Sequence, residues 1–566
     1  MASNDKHPGA EATLATRVDA ALARRGDATV ARWKRFGLWQ TASGRELAQR
    51  IGSIARGLQA VGLASGEVAA VVGDNSLEWL LADLAIVAAG GVAAGLDAHV
   101  DDDVLARQLT DSGACIVMAV GDTVLRRIQR LRTRCPALRQ VVVMHEQWDH
   151  AADERQAMPL AALEAAGAGR PAPAATDPDA PALIVFGSAM TGPARGAVLS
   201  GRHAGAQAAR AAEALGLTDT DERLVMTPLH HVLERVVGAH AALLAGTVLN
   251  FPERAETMLL DLAELQPTVI QAAPLVWASL CSAIELNLAE TTRLQRWAFR
   301  RAHVAGQSRG LGDRLALAPV RARLGLARAR LCLSAGAPMR GSTADWFAAL
   351  GRPLVDLYGS AEAGGMVALG QAGRTVAGVA WRVADDGEVW LRSDSMFSGY
   401  AGAPAAPVSD AQGWWATGDF GAHGADGLLR VLGRISELLP GDAGPVAPFG
   451  SEQALRSSPY VADAFVHRDA AGRLCARILL NQDSVVKYAQ DRAIPFTHFR
   501  SLCQAAGVRD LVAILVSEVN AAQTKLHIEH FSLIERSLAL GDAELTPVLT
   551  LRRRLLVTEA GVSSKT

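Results

Sequence analysis

The clearest apolar periodicity in the chain begins just after Ser43. From Leu47 to Val61, apolar residues recur every three to four positions, which predicts an amphipathic helix. Ser43 and Glu46 have the spacing of a capping box, and Gly62 follows the last apolar turn. Both ends of the predicted helix therefore carry the expected start and stop signals.

Short apolar runs rich in β-branched residues follow and alternate with helical stretches. Strands are predicted at 68–72, 116–120, 141–144, 183–186, 248–251, 269–272 and 331–333. Strands that alternate with helices favour α/β layers with largely parallel sheets.

Changes of character along the chain predict its domain organisation. Residues 165–181 are small, proline-rich and aperiodic, which is typical of a linker and is interpreted as joining two α/β lobes. Beyond about residue 380 the pattern becomes β-rich, with strands predicted at 388–392 and 428–432. We expect an α/β protein whose large N-terminal domain, residues 1–433, holds two α/β lobes and a small β-rich subdomain. Residues 434–566 would form a small α+β C-terminal domain.

Charge, cysteines and hydropathy narrow the class of protein. The 566 residues include 56 basic and 58 acidic side chains, so no basic stripe predicts nucleic-acid binding. Six widely spaced cysteines without a CxxC pair predict reduced thiols in a cytoplasmic protein. The apolar run at 79–96 is broken by Asp83 and by Gly90 and Gly91, which favours a buried helix and strand over a transmembrane segment. Contact with a membrane surface and the oligomeric state are left open.

A loop of small residues follows the strand predicted at 183–186. Residues 187–196 read GSAMTGPARG, and backbone N–H groups, hydroxyls and a cation in such a loop suit a phosphate. No GK[ST] sequence closes the loop, so it is not a Walker loop. Taken alone, it fits a plain glycine-rich turn better than a binding site.

Further motifs follow in a fixed order. They are TPLHHVLER at 227–235, DLYGSAE at 356–362, GY at 399–400, GWWATGD at 413–419 and DG at 426–427 leading to GR at 433–434. In order and spacing the set resembles the adenylate-forming superfamily of acyl- and aryl-CoA ligases, adenylation domains and luciferases. PLHHVLER and the ELTP at 544–547 look most similar to bacterial long-chain fatty acid–CoA ligases.

The resemblance implies a reaction in two halves. ATP and a carboxylate would form an acyl-adenylate and pyrophosphate, a mobile C-terminal domain would swing, and the thiol of coenzyme A would attack the activated carbonyl. Tyr358 would lie along the adenine, Asp419 would accept both ribose hydroxyls, and Arg434 would lie near the ribose and phosphate. The positions that would wrap the phosphates are Ser188, Thr191, Gly192 and Gly196, and those that would line the adenine pocket are Gly336, Ala337 and Gly359.

Three further positions match the reacting parts of similar ligases. Glu362 stands at the Mg²⁺ ligand, in keeping with the preference of a hard cation for oxygen, and His231 would lie near the acyl entrance. Arg195 stands where the family pattern TSGTTGxPKG has lysine. The charge is kept, but a planar guanidinium is not equivalent to a compact ammonium.

The strongest departure from the family pattern is at the C-terminus. Similar ligases carry LTPTxKxxRR, whose lysine reaches the carboxylate and the α-phosphate, whereas residues 545–554 here read LTPVLTLRRR. Thr550 occupies the lysine position, and Arg552, two residues on, is the nearest stand-in. Loss of one preorganised donor typically costs about 10²–10³-fold in rate.

Three hypotheses follow from these departures. The first is an ATP- and Mg²⁺-dependent long-chain fatty acid–CoA ligase with weakened adenylation, acting on fatty acid and coenzyme A. The second is a catalytically degenerate paralogue that binds nucleotide or acyl groups as a regulatory or partner protein. The third is an enzyme that performs only the thioesterification half.

Overall fold

The computed structural model describes most of the chain. It covers residues 12–144, 157–187, 194–305, 312–337, 339, 341–370, 373–403, 409–424, 427–441, 444–469, 471–522, 526–536, 538, 551, 553 and 556–557.

The strands and helices are numbered in chain order. The strands are β1 Thr29–Arg35, β2 Leu38–Ser43, β3 Val68–Val72, β4 Val92–Leu96, β5 Ala114–Ala119, β6 Gln140–Val143, β7 Met158–Pro159, β8 Pro181–Phe186, β9 Gly196–Ser200, β10 Glu222–Leu224, β11 Val248–Phe251, β12 Val269–Ala272, β13 Leu331–Ala335, β14 Leu354–Ser360, β15 Gly365–Leu369, β16 Arg374–Thr375, β17 Val379–Val383, β18 Glu388–Ser393, β19 Gly399–Tyr400, β20 Trp415–His423, β21 Leu429–Arg434, β22 Val461–Arg468, β23 Leu474–Leu480 and β24 His530–Leu533. The helices are α1 Leu14–Arg25, α2 Gly44–Ala60, α3 Leu77–Ala88, α4 Asp102–Ser112, α5 Asp122–Leu131, α6 Leu160–Ala166, α7 Gly201–Ala214, α8 Val232–Glu234, α9 Ala241–Ala245, α10 Met258–Leu265, α11 Pro274–Ala289, α12 Arg293–Ala305, α13 Ala318–Arg323, α14 Gly341–Ala349, α15 Phe449–Arg456, α16 Gln482–Asp491, α17 Phe499–Gln504 and α18 Ala506–Ala522. π-helical turns at Arg235–His240 and Asp313–Leu317 lie between α8 and α9 and before α13.

Two large, mainly parallel sheets form the N-terminal part of the described chain. One has the strand order β16-β15-β14-β13-β12-β10-β11-β1-β2, and the other has β19-β9-β8-β4-β3-β5-β6-β7. Helix α2 begins with the predicted capping box, in which Ser43 and Glu46 bond each other's side chain and backbone. Helix α3 is buried along nearly its whole length, because it packs between layers. Among the described residues no helix is both long and apolar enough to cross a membrane.

Two smaller sheets complete the fold. The antiparallel sheet β17-β18-β20-β21 is the predicted β-rich subdomain. The sheet β22-β23-β24 and helices α15–α18 form a C-terminal domain with its own apolar core. The α/β fold class with a large first and a small last domain is therefore confirmed. The division at residues 433 and 434 falls at the end of β21 and stays a prediction.

One local expectation is wrong in part. The segment 165–181 is a loop over residues 167–180, but it does not join two lobes, because β7 before it and β8 after it belong to the same sheet. Helix α18 ends at Ala522, and residues 526–529 lie outside helices and strands. There the Asn520 side-chain amide bonds the N–H and carbonyl of Ile528 at 2.8 and 2.9 Å. Leu526 and Ile528 are buried in the C-terminal core, and this burial outweighs helical propensity.

Candidate active site

A cleft of ≈ 1640 Å³ lies where the two large sheets, the β-rich subdomain and the C-terminal domain meet. Gly187 follows β8, Tyr358 is on β14, and Asp419 is on β20, and all three line the cleft. Phe449 and Leu551 line it from the C-terminal domain. Ligands of α/β sheets bind beyond the carboxyl ends of the strands, and β8, β13 and β14 all end here.

Tyr358, Asp419 and Arg434 form one connected group in the cleft. The Tyr358 hydroxyl donates to Asp419 Oδ2 at 2.6 Å, and Arg434 Nε lies 3.1 Å from Asp419 Oδ1. Asp419 and Arg434 face each other across the β20–β21 pair. Burial raises the pKa of Asp419, while the Arg434 charge opposes the rise. A buried carboxylate held in this way presents acceptor oxygens to hydroxyl groups of a ligand.

Arg195, Tyr400 and Glu362 form a second group. The Arg195 guanidinium lies 3.5 Å from the centroid of the Tyr400 ring, and the Tyr400 hydroxyl donates to Glu362 Oε1 at 3.1 Å. The antiparallel pairing of β9 with β19 places Ala197 opposite Tyr400, so the end of the small-residue loop and the tyrosine are held together. Burial, followed by the Glu362 charge, raises the pKa of Tyr400, which keeps the phenol protonated.

Glycines allow the backbone to approach closely around this cleft. Gly336 has a φ of +97°, a conformation that L side chains rarely adopt. A Cβ on Gly359 would lie 2.1 Å from the carbonyl oxygen of Gly365, and a Cβ on Gly196 would lie 2.7 Å from Ile184. Gly336, Gly359 and Ala337 all line the cleft.

His231 lies on an apolar wall of the same cleft. Val232, Leu233, Pro274 and Leu275 also line the cleft. Burial, with a smaller effect of the neighbouring histidine, lowers the pKa of His231 to about 4. The imidazole is therefore neutral at neutral pH, which suits a position next to an apolar ligand.

Five of the sequence-predicted positions lie outside the described residues. Ser188, Thr191 and Gly192 belong to the loop after β8, and Thr550 and Arg552 belong to the C-terminal motif.

The described neighbours of the C-terminal motif reach the edge of the cleft. Leu551 and Arg553 both line it. Arg553 bonds both carboxylate oxygens of Glu452 at 2.7 and 2.8 Å, and its Nε lies 3.0 Å from Glu437. This pairing fixes the C-terminal motif to the segment that joins the β-rich subdomain to the C-terminal domain.

Sequence reasoning assigned no role to Asp356 and Tyr400, although both stand in the quoted motifs. Asp356 precedes Tyr358 by two residues on β14 and therefore shares its face, and it lines the cleft. Burial raises the pKa of Asp356 to about 6, and its Oδ1 has no hydrogen-bond partner among the described residues. The spacing of two residues between Asp356 and Tyr358 is the sequence signal that places Asp356 on the same face of a strand.

Arg235, in the TPLHHVLER motif, is a positioning residue. Its fully buried guanidinium donates to the carbonyls of Ile184 on β8 and Ala93 on β4 at 3.0 and 2.8 Å. Asp83 pairs with Arg235 and also lies 2.8 Å from His240 Nε2. The motif therefore fixes the strand from which the small-residue loop departs.

Comparisons with known proteins agree with this architecture. Long-chain-fatty-acid–CoA ligase FadD15 of Mycobacterium bovis is 28% identical over 562 residues, which span 92% of this chain and 91% of the relative. Long-chain-fatty-acid–CoA ligase ACSBG1 of Homo sapiens is 24% identical and spans 94% of this chain and 82% of the relative.

Solved structures share the fold. The A domain of carboxylic acid reductase from Segniliparus rugosus, in complex with AMP and a co-purified carboxylic acid, has a TM-score of 0.79 and 20% identity over 99% of this chain and 94% of that one. The anthranilate CoA ligase AuaEII, in complex with anthranoyl-AMP, has a TM-score of 0.77 and 17% identity over 100% of both chains. The profile of the family described as AMP-binding enzyme matches residues 18–401. This chain therefore belongs to the AMP-binding enzyme family.

Proposed function

We propose that this protein is an ATP-dependent long-chain fatty acid–CoA ligase that works through an acyl-adenylate and has weakened adenylation. The observation that carries the proposal is the convergence of Tyr358, Asp419, Arg434 and Glu362 on one cleft that also has an apolar wall. Relatives named as long-chain fatty acid–CoA ligases match more than nine tenths of the chain, which supports the choice of substrate.

The nucleotide would occupy the part of the cleft around Tyr358. The phenol ring provides a flat face for adenine, and Asp419 accepts the ribose hydroxyls with Arg434 beside it. The unpaired Asp356 Oδ1 would accept an N–H of the adenine amino group, since a buried acceptor gains most from a donor. The phosphates would extend towards the loop that contains Ser188, Thr191, Gly192 and Gly196.

Mg²⁺ would be held by Glu362 together with phosphate oxygens. Among the described residues no three His, Cys, Asp or Glu side chains form a metal cluster, so this part of the chain provides no complete cage for the ion. A single carboxylate that shares the ion with phosphates is the usual arrangement for Mg²⁺. Bound there, the ion would neutralise charge on the phosphates.

The reaction itself is a pair of displacements. A fatty acid carboxylate oxygen attacks the α-phosphorus of ATP and pyrophosphate leaves. The sulfur of coenzyme A then attacks the acyl carbon, the thiol proton is lost, and AMP leaves. Arg195 lies at the phosphate side of the cleft and stabilises charge there. Thr550 supplies no cation, so adenylation would be about 10²–10³-fold slower than with lysine unless Arg552 substitutes for it.

The C-terminal domain, residues 434–566, would act as a lid that changes its position between the two half-reactions.

We place the protein in the cytoplasm, because the six cysteines are all unpaired and disulfides are rare in that reducing compartment. ATP and coenzyme A are both available there.

The experiment that tests the proposal measures pyrophosphate release with palmitate, ATP and Mg²⁺, and then palmitoyl-CoA formation after addition of coenzyme A. Turnover that requires the fatty acid supports the ligase. The replaced lysine positions favour the second candidate, a degenerate nucleotide- or acyl-binding paralogue. ATP binding by calorimetry without any pyrophosphate release would favour that paralogue. Thioester formed only from supplied palmitoyl-adenylate would indicate an enzyme of the second half-reaction.

A further inference from the structure

Helix α12 exposes a face that the proposed reaction does not use. Leu294, Trp297, Arg301 and Val304 are spaced three, four and three residues apart and therefore lie on one side of the helix. Leu294 is 72% exposed, Trp297 60% and Val304 87%. We call this side, with the flanking Arg293, Arg296 and Arg300, the α12 outer face.

The opposite side of α12 fixes its orientation. Phe299 and Ala302 are buried in the core beneath the helix. Phe299 stacks on His303 with 5.2 Å between ring centroids, and His303 Nε2 lies 2.9 Å from the carbonyl oxygen of Trp346. The helix cannot rotate its exposed tryptophan inward without losing these contacts.

The charge around the outer face is strongly basic. The described residues 291–305 include four arginines and no Asp or Glu, and the next acidic residue along the chain is Asp313. Arg321 bonds both oxygens of Asp313 at 2.8 Å, so this carboxylate is already neutralised. Arg301 lies 5.9 Å from the ring centroid of Trp297. Arginines that flank Trp, Leu and Val on one helical face are typical of a segment that lies in the interface of an anionic membrane.

A lipid partner is also consistent with the position of α12 relative to the cleft. Helix α11 begins at Pro274 and Leu275, which line the cleft. It runs for 16 residues, about 24 Å at the rise of an α-helix, before the chain enters α12. The outer face therefore lies near the far end of a helix whose first turn contacts the site.

We propose that the α12 outer face docks the protein onto the surface of an anionic lipid bilayer, from which a fatty acid substrate is taken. The choice of lipid rests on the proposed function. The combination of large apolar side chains with arginines favours a bilayer over nucleic acid, which would be bound by charge without need of an exposed Leu, Trp and Val.

The chain offers a matched control surface. Leu260 on α10 is 71% exposed and Phe36 is 73% exposed, as much as Leu294. Glu253 accepts the Phe36 N–H at 2.9 Å and the Gly37 N–H at 3.0 Å. This carboxylate would be repelled by an anionic surface, so this second patch should stay in water.

Vesicle flotation of the full chain tests the docking. Vesicles of phosphatidylcholine mixed with phosphatidylglycerol should carry the protein, and phosphatidylcholine alone should not. Binding should disappear at about 1 M salt, where the Debye length is about 3 Å. The double variant Arg293→Gln/Arg300→Gln should bind about 30-fold more weakly, or roughly 5-fold per arginine. Trp297→Ala should bind about 10-fold more weakly, and Leu260→Ala should bind like the wild type.

Each outcome decides between the alternatives. Equal binding of both vesicle types, no binding by the wild type, or unchanged binding by both α12 variants would overturn the docking surface. So would selective binding of RNA, or a dimer that the α12 variants dissolve. Thermal unfolding of each variant shows that it is folded, and the charge and tryptophan variants test the face independently. Vesicle binding without pyrophosphate release from any fatty acid would leave the docking surface standing and overturn the proposed function alone.

Discussion

The guanidinium of Arg195 stacks on the ring of Tyr400 at 3.5 Å, and that ring's hydroxyl bonds Glu362 at 3.1 Å. A lysine at position 195 would keep the charge but could not lie flat on the ring in the same way. The replacement of the family's lysine is therefore accompanied by a local arrangement that uses the shape of arginine.

Removal of the Tyr400 hydroxyl separates the effect of the hydrogen bond to Glu362 from the effect of the ring contact with Arg195. Tyr400→Phe keeps the ring under Arg195 but loses the bond to Glu362, so pyrophosphate release should fall about 3- to 10-fold, as for one lost hydrogen bond to a charged group. Tyr400→Ala should lower pyrophosphate release further, because the contact of the ring with Arg195 is lost as well. Tyr488→Phe, outside the cleft, is the control. Equal rates for Tyr400→Phe and the wild type would mean that the hydroxyl is not used.

Asp419 should be the main polar anchor for the nucleotide. Asp419→Ala removes the acceptor and leaves Arg434 without its partner in the cleft, so the Kd for ATP should rise by about 10-fold or more. Calorimetry measures this Kd directly. Asp103→Ala is the control, because it removes a carboxylate whose side chain is 89% exposed. ATP binding as tight as in the wild type would remove Asp419 from the proposed ribose site.

A lysine restored at position 550 should accelerate adenylation. Thr550→Lys should raise the rate of pyrophosphate release by about 10²–10³-fold, since a preorganised cation stabilises the charge that develops at the α-phosphate. Thr546→Lys adds the same charge four residues earlier and should have no such effect. A wild-type rate that Thr550→Lys does not raise would indicate that Arg552 or another group already fills the role.

Asp356 should make the stability of the ligand-free protein depend on pH. Its pKa of about 6 in the folded state exceeds the usual value of about 3.9, so the folded protein holds this proton more tightly than the unfolded chain. Its contribution to stability is fully present below about pH 4 and is lost as the pH rises to about 6. Asp356→Asn should therefore be more stable than the wild type above pH 6 by about 1–2 kcal/mol, a figure reduced for partial access of water. Denaturant unfolding at several pH values measures the difference, and parallel pH profiles for the two proteins would contradict the assignment.

The buried Asp83 pair should be important for folding. Asp83→Asn leaves the fully buried Arg235 without its counter-charge and weakens the contact to His240, so stability should fall by about 3–5 kcal/mol. Thermal unfolding checks this, with Asp103→Asn as the exposed control. Because Arg235 also bonds β8, ATP affinity should fall together with stability.

Local signals in the sequence were enough to predict much of the fold. Helix α2 carries its own capping box, and helix α3 follows from an apolar run interrupted by Asp83, because periodicity and caps are properties of neighbouring residues. The role of the segment 165–181 is not predictable from its composition, because that role depends on which strands pair. Only the sheet order, with β8 beside β4, reveals that it crosses within one lobe.

The candidate site was predictable to the extent that it lies in contiguous motifs. Tyr358, Glu362 and Asp419 were chosen from motif resemblance, and the fold brings them to one cleft. The contact between Arg195 and Tyr400 was not predictable from spacing, because it joins segments that meet only through the β9–β19 pairing. The raised pKa of Asp356 was not predictable from the sequence either, because it results from burial, and burial of a side chain depends on the whole fold.

Arg434 is the last residue of β21 and faces Asp419 across the strand pair. Its backbone N–H also bonds Glu437 at 3.3 Å, and Glu437 in turn pairs with Arg553. The residue beside the proposed ribose is thus also the first residue of the proposed C-terminal lid. A bound nucleotide would therefore contact the start of this proposed lid directly, so occupancy of the site and the proposed swing of the small domain need no intermediary to influence each other.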